Sequence, residues 1–284
     1  MNENSAPSLS FEFFPPGNEA QRVRFESARS RLLALNPEYV SVTFGAGGST
    51  RSRTRQTVFD CQAASAVPVA PHLSCMAETI EDIESLLQEY RDKGIDRLVV
   101  LRGDRPSGGS AGVFRYAAEL VAFIREHHGD HFHIEVAAYP EHHPESSSPQ
   151  KDLEHFAAKV RAGANGAITQ YFFSADSYCR FVDEASKLGV SVPITPGIMP
   201  ITSYPGLARF SAMCGAEIPQ WIAKRLSAWD QADDQASLQA FGEEVVTALC
   251  QRLLESGAPG LHLYTLNRAS ASLAICRNLG FLSR

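Results

Sequence analysis

Seven side chains that can hydrogen-bond or exchange a proton occupy equivalent places in a repeated pattern. Glu12, Thr43, His72, Asp104, Tyr139, Gln170 and Tyr264 each stand late in, or just past, a short apolar run. Two carboxyls, an imidazole, two phenols, a hydroxyl and an amide form a set suited to moving a proton and orienting a polar heterocycle. Each has a simpler reading taken alone. Glu12 can be a structural ion pair with Arg102, His72 a hydrogen-bonded core residue, and Thr43 and Tyr139 filler with satisfied hydroxyls. Polar groups inside an apolar framework are costly unless paired or solvated, so seven at matching positions are hard to explain by packing. His142-His143 lacks the ligand spacing of a zinc site, and no metal is expected there. Phe11, Phe13 and Phe14 are read as packing residues.

These groups must be positioned by the runs that carry them. Eight runs read as strands: residues 9–14, 39–44, 69–73, 97–101, 133–139, 167–173, 192–198 and 261–266. Between them lie amphipathic helical patterns over 19–35, 79–93, 114–127, 152–161 and 175–188, with Gly94 and Gly189 placed to end two of them. Repeated β-then-α units imply parallel strands with helical crossovers. Eight units point to closure, giving an α/β fold of the (β/α)8 TIM-barrel type. The long stretch from about 202 to 260 is expected to add extra helices between strands seven and eight, one over 237–255. Within strands, faces alternate with period two. Leu9, Phe11 and Phe13 oppose Ser10 and Glu12; Val69, Pro71 and Leu73 oppose Ala70, His72 and Ser74. Val99 and Leu101 oppose Val100, Arg102 and Asp104, and His262 shares a face with Tyr264. The polar set then gathers at the C-terminal mouth, where barrels of this type carry their active sites.

Bulk properties narrow the function. A barrel of about 250 residues would use nearly all of the 284 present, so one domain over 1–284 is expected. Apolar residues make up 44% and charged residues 20%, which excludes a disordered chain. The net charge of −6, without a Lys/Arg block, gives no footprint for nucleic acid or an anionic membrane. The polar start reads neither as a signal peptide nor as an anchor, and no apolar stretch approaches the roughly 18 residues of a membrane span. Six scattered cysteines without a C-x-x-C pair read as free thiols in a cytoplasmic protein.

Eight segments carry a family resemblance: Phe11-Glu12-Phe13-Phe14-Pro15-Pro16, Val42-Thr43-Phe44-Gly45-Ala46, Ala70-Pro71-His72-Leu73, Leu101-Arg102-Gly103-Asp104, Ala137-Ala138-Tyr139-Pro140-Glu141, Ile168-Thr169-Gln170-Tyr171-Phe172-Phe173, Pro196-Gly197-Ile198-Met199-Pro200 and Tyr264-Thr265-Leu266-Asn267-Arg268. In this order they resemble methylenetetrahydrofolate reductase, in its bacterial single-domain form. The resemblance implies a barrel that binds FAD without a Rossmann fingerprint, uses NADH or NADPH as donor, takes a folate substrate and forms a homo-oligomer. By position it implies Thr43, Phe44, His72, Arg102, Gly103, Asp104, Tyr116, Ala117, Tyr139, His143, Asp152 and Lys159 as flavin-site residues. Gln170, Phe210 and Arg268 are implied as folate contacts, the first two shared with the nicotinamide. Glu12 and Asp104 are implied as catalytic. The family pattern has Asn and Arg where this chain has His155 and Ala158, which bear on the outer part of the cofactor. It has Gln where this chain has Gly206, on the folate side.

The implied chemistry explains the residue types. The one-carbon unit of methylenetetrahydrofolate is closed in a ring between N5 and N10, and protonating N10 opens it to an iminium that accepts hydride. The acid must stay protonated near neutral pH, which asks for a carboxyl raised by desolvation. Glu12, beside three Phe and two Pro, is expected to be that group. A carboxylate at Asp104 would favour the cationic iminium. Donor and folate would use one flavin face in turn, giving ping-pong kinetics in one-carbon metabolism and methionine biosynthesis. Alternatives are a flavin barrel reductase acting on another pterin and a non-catalytic folate- or flavin-binding subunit. Pure binding needs no acid, which counts against the latter.

Overall fold

The structure is a computed structural model that describes residues 7–44, 48–75, 79–103 and 112–282. In chain order its elements are β1 (Ser8–Phe13), α1 (Glu19–Leu33), β2 (Tyr39–Val42), α2 (Gly48–Ala64), β3 (Val69–Ser74), α3 (Ile80–Asp92), β4 (Arg97–Leu101), α4 (Ala117–His128), β5 (His133–Ala138), α5 (Pro149–Arg161), β6 (Gly166–Thr169), α6 (Ala175–Lys187), β7 (Ile194–Thr195), β8 (Gly197–Ile198), α7 (Tyr204–Cys214), α8 (Gln220–Gln231), α9 (Gln235–Glu255), β9 (Gly260–Tyr264) and α10 (Ser270–Asn278). All strand pairs are parallel, in the order β7-β6-β5-β4-β3-β2-β1-β9-β8. This is the expected barrel, with α7, α8 and α9 as the extra helices before the last strand.

Local chemistry sets the element ends. Asn18, Thr79, Ser148, Ser174 and Ser203 accept a backbone N–H from the first turn of α1, α3, α5, α6 and α7, which satisfies donors a helix start leaves open. Gly94 and Gly189 follow two helix ends at φ of 74° and 81°, as their placement in the sequence implied. On the outer strand faces, Phe11 and Phe13 are buried, and Phe13 meets Phe25 of α1 edge-on at 5.5 Å. Burial of each such ring contributes roughly 1.5–3 kcal/mol.

Two expectations need correction. The run 192–198 is not one strand: β7 pairs with β6 and β8 pairs with β9, with Pro196 between them. Proline has no N–H to give a ladder. Its carbonyl still accepts from His262 N at 3.0 Å, while Gly197 N turns to the Thr169 hydroxyl at 2.9 Å. The broken strand thus closes the barrel with one side-chain bond in place of a backbone bond. The second correction concerns β4. Val99 and Leu101 join Tyr39, Ala70, Ile168 and Tyr264 in an apolar cluster separate from the main core, while Val100 lies in the main core. Val99 is in register with His72 and Glu135. The inner face of β4 is therefore apolar, and alternation does not carry Arg102 to the mouth. Arg102 lies beyond the strand, where period two has no force.

The closure explains one glycine. A Cβ at Gly197 would stand 2.7 Å from the Tyr264 hydroxyl and would also overlap the Thr169 carbonyl oxygen. Gly197→Ala is expected to destabilise the protein by about 3 kcal/mol or more. Gly206→Ala, whose Cβ meets nothing nearer than 3.5 Å, should change stability by less than about 1 kcal/mol. Chemical denaturation of both variants checks this, and equal losses would refute the steric account.

Candidate active site

The parallel register of β1 with β9 sets Ser10 beside His262 and Glu12 beside Tyr264. Glu12 faces two imidazoles: its Oε2 lies 3.3 Å from Nε2 of His72 on β3 and 3.7 Å from Nε2 of His262 on β9. His262 is fully buried, and its Nδ1 is 2.7 Å from the Ser10 hydroxyl. Its Nε2 is 3.5 Å from the Ser41 hydroxyl. Nε2 of His72 is buried and makes no hydrogen bond, despite its closeness to Glu12.

The electrostatics of Glu12 differ from the expectation. Burial pushes its carboxyl up, but the attraction of His262 and His72 outweighs burial and brings it down to about 2. The phenylalanines do not supply the expected apolar pocket. Phe11 and Phe13 point into the outer core, on the other face of β1. The two imidazoles thus favour the ionised carboxylate. It is not an ion pair with Arg102 either, because Arg102 pairs with Glu145.

A clamp that the sequence reading missed holds this strand end in place. Thr265 gives its hydroxyl to the Glu12 carbonyl at 2.6 Å. The Asn267 amide donates to the Phe14 carbonyl at 2.8 Å and accepts the Phe14 N–H at 3.0 Å. Leu266 and Asn267 take positive φ of 49° and 54°, which ends β9 short of residue 266. Tyr264 proves to be a strut: its hydroxyl donates to the Thr169 carbonyl at 2.6 Å, across the closing seam.

A second group lies beyond β4 and β5. Lys159 of α5 donates to the Ala137 carbonyl, and burial lowers its ammonium to about 8 although Asp152 opposes this. Asp152 accepts the His143 N–H at 2.8 Å, and Nδ1 of His143 accepts the Glu145 N–H at 3.0 Å. Burial, then Arg102, push the His143 imidazole down. The Tyr139 ring meets His143 edge-on at 4.7 Å. Gly103 has a φ of 79°, a conformation that suits glycine. Tyr116, whose N–H is taken by Glu119, stacks on His155 at 5.1 Å, and Ala117 is buried. Thr43 is tied to Phe13 through its N–H and to Thr54 through its carbonyl. Phe44 follows it, half-buried. Gln170 extends the β5–β6 ladder by one bond and accepts Tyr171 N–H at 2.9 Å. Phe210 lies on α7 with Arg209 over its ring, and Arg268 is exposed beyond β9. Asp104 lies outside the described residues.

The chemistry of these residues suits an anionic, partly aromatic cofactor. Arg102 and Lys159 supply cations, Tyr116 and Tyr139 supply flat aromatic surface, and His72 supplies a buried ring nitrogen without a hydrogen-bond partner. Among the described residues no group of His, Cys, Asp and Glu is arranged to hold a metal, and no helix is long and apolar enough to cross a membrane.

The Glu12 balance has a measurable consequence. Its folded value of about 2 lies below its ordinary 4.5. The stabilisation is therefore fully present above pH 4.5 and is lost as pH falls toward 2. Relative to Glu12→Gln, the native protein should lose on the order of 3 kcal/mol over that window. Parallel unfolding curves for the two proteins would show instead that the imidazoles do not hold the carboxylate.

Comparisons with known proteins bear on the family of the chain. Residues 1–280 match the family described as Methylenetetrahydrofolate reductase. The 5,10-methylenetetrahydrofolate reductase of Escherichia coli (strain K12) is 39% identical over 273 residues, covering 96% of this chain and 90% of that protein. Methylenetetrahydrofolate reductase (NADH) 1 of Arabidopsis thaliana is 36% identical, covering 99% of this chain and 50% of that protein. Among solved structures, an uncharacterised Clostridium thermocellum protein that binds two copies of 5-methyl-5,6,7,8-tetrahydrofolic acid has a TM-score of 0.67 at 18% identity. It covers 96% of this chain and 93% of its own, and it speaks for the fold alone. With a family match over nearly all its length and relatives at this identity, the chain belongs to the methylenetetrahydrofolate reductase family.

Proposed function

We propose that this barrel, over residues 1–284, is one catalytic domain that reduces 5,10-methylenetetrahydrofolate to 5-methyltetrahydrofolate with FAD as cofactor and NADH or NADPH as donor, by a ping-pong mechanism. Family membership supports methylenetetrahydrofolate reduction. The observation that carries the finer reading is the Glu12 carboxylate between His72 and His262 at the open end of the barrel. A folate-binding site without chemistry has no need of a proton-exchanging cluster there. Six free thiols fit a cytoplasmic setting, and a homo-oligomer serving methionine biosynthesis belongs to the same reading.

When bound, the flavin supplies the hydride-transfer chemistry. Arg102 and Lys159 would neutralise its phosphates, and Asp152 and His143 hold the loop that bears on them. Gly103 lets the backbone turn closely after β4. Thr43, Phe44, His72, Tyr116, Ala117 and Tyr139 would line the rest, and Asp104 is the second catalytic carboxylate that the resemblance implies. Gln170 and Phe210 would orient folate and nicotinamide in turn, and Arg268 would meet the folate side.

Glu12 is the group we assign to N10. Protonation there breaks the N10–CH2 bond, with the electron pair left on N10. A carboxylate held low must first receive a proton, and the two imidazoles are its nearest sources. The Thr265 and Asn267 clamp fixes the backbone around Glu12, so that its reach to the substrate is set by side-chain rotation alone. Such pre-set geometry is what makes an acid effective.

The purified protein should be yellow and release FAD on denaturation; colourless protein that cannot be reconstituted with FAD would overturn the cofactor assignment. For Glu12→Gln, stopped-flow reduction of the flavin by NADH should survive within roughly tenfold. Reoxidation by methylenetetrahydrofolate should fall by about 10²–10⁴-fold, since only that half-reaction needs a proton donor. Equal losses in both would make Glu12 structural.

A further inference from the structure

We propose that His262 is a positioning residue that stores the proton Glu12 delivers, so that the working acid is the Glu12–His262 pair. This rests on the reduction reaction proposed above.

The first argument is the cost of the residue. His262 is fully buried on the inner face of β9. An imidazole in such a place costs free energy unless both nitrogens are served. They are served unequally. Nδ1 lies 2.7 Å from the Ser10 hydroxyl, and Nε2 looks toward Glu12 at 3.7 Å and Ser41 at 3.5 Å. The serine hydroxyl accepts from Nδ1–H when the ring is charged, and still accepts from it after Nε2 has given up its proton. Ser10 therefore keeps Nδ1 served before and after the transfer.

The second argument is orientation. Tyr39 stacks on the His262 ring at 6.0 Å and 23°, and Tyr264 meets it edge-on at 5.4 Å and 82°. The two rings hold Nε2 toward Glu12. His72, the other imidazole, lies closer to the carboxylate, but its Nε2 makes no hydrogen bond, so it is the less constrained of the two.

The third argument is that proton exchange has one partner. The groups facing His262 are Ser10 and Glu12 from β1, Tyr39 and Ser41 from β2, and Tyr264 from β9. Gly197 is its register partner on β8 and brings no side chain, while His72 of β3 faces the same Glu12 oxygen at 3.3 Å. Burial pushes both tyrosine hydroxyls far above their ordinary value, so neither yields a proton. That leaves Glu12. The proton on Nε2 passes to Oε2 of Glu12, and the carboxyl gives it to N10 of the substrate as the N10–CH2 bond breaks. Neutral imidazole and carboxylate remain, and one proton from solvent restores the pair. The 3.7 Å separation is of the kind that tightens on ligand binding.

The test uses the flavin-loaded protein and two readouts. In histidine-ring NMR, the resonance that His262→Gln abolishes should titrate with a midpoint that Glu12→Gln moves to lower pH by at least about one unit. An unmoved midpoint overturns the proposal, and this readout needs no turnover. In stopped flow, His262→Gln keeps an N–H toward Glu12 but cannot store a proton. Reoxidation by methylenetetrahydrofolate should slow at least about tenfold near pH 7, with its alkaline limb moved at least about one unit lower. Ser10→Ala should move that limb the same way by less, and it decides the matter if His262→Gln does not fold. Wild-type limbs in the folded variants, whatever their rates, would overturn the proposal. Wild-type protein that carries no flavin, or normal reoxidation in Glu12→Gln, would instead remove the reaction on which it rests.

Discussion

The pairing of β1 with β9 is the contact from which the site is built. It is parallel, so it forms only after the whole chain between the two strands has crossed over, with 252 residues separating Ser10 from His262. Its register is fixed by the period-two pattern of β1. A slip of one residue would turn Phe11 and Phe13 inward and send Glu12 to the helices. The outer core thereby specifies the inner chemistry. Thr265 and Asn267 then lock the last turn of the pairing through three side-chain bonds to the backbone of Glu12 and Phe14.

The interior of this barrel shows how little apolar packing is needed on the inner face. Val99, Ile168, Ala70 and Tyr39 form an apolar group, while Ser10, Ser41, Glu12 and His262 form a polar seam that meets it where Tyr39 stacks on His262. The seam is affordable because its members bond to one another. Glu12 shows the balance of forces: burial alone would neutralise the carboxyl, and two imidazoles suffice to reverse that. A mutation that removed one partner would leave the other buried and unpaired, which costs more than the bond contributed.

Much of this was legible in the sequence because two periods coincide with two environments. Alternation along β1, β3 and β9 placed Glu12, His72, His262 and Tyr264 on the inner face, where the structure has them. Where alternation fails, so did the reading. β4 is apolar on both faces, so Val99 and Val100 cannot be told apart by type, and their faces were exchanged. Pro196 splits a run that looks continuous, because a proline's missing N–H matters only when a partner strand needs it. The Thr265–Asn267 clamp was named only within a family motif. Its function depends on positive φ at Leu266 and Asn267, which side-chain type does not announce. Glu145, partner of Arg102, stands in a loop whose path no local period encodes.

The second group of residues makes a different demand on any anionic cofactor. Arg102 and Lys159 are the cations best placed for it in the proposed site, yet neither is idle: Arg102 is paired with Glu145 and Lys159 with the Ala137 carbonyl. An anion must compete with a carboxylate for the first and keep the buried second protonated. Ala158 adds no cation where the family pattern has Arg. His155, where that pattern has Asn, stacks on Tyr116 and widens its flat surface. In the proposed site, the resemblance thus implies less charge and more aromatic contact at positions 155 and 158 than the family pattern has. Stacking is short-ranged and screened little by salt, whereas charge attraction at an exposed site is weakened by it. Cofactor retention in this chain should therefore rest more on fit against Tyr116 and His155, and on displacement of Glu145 from Arg102, than on the summed positive charge of the loop.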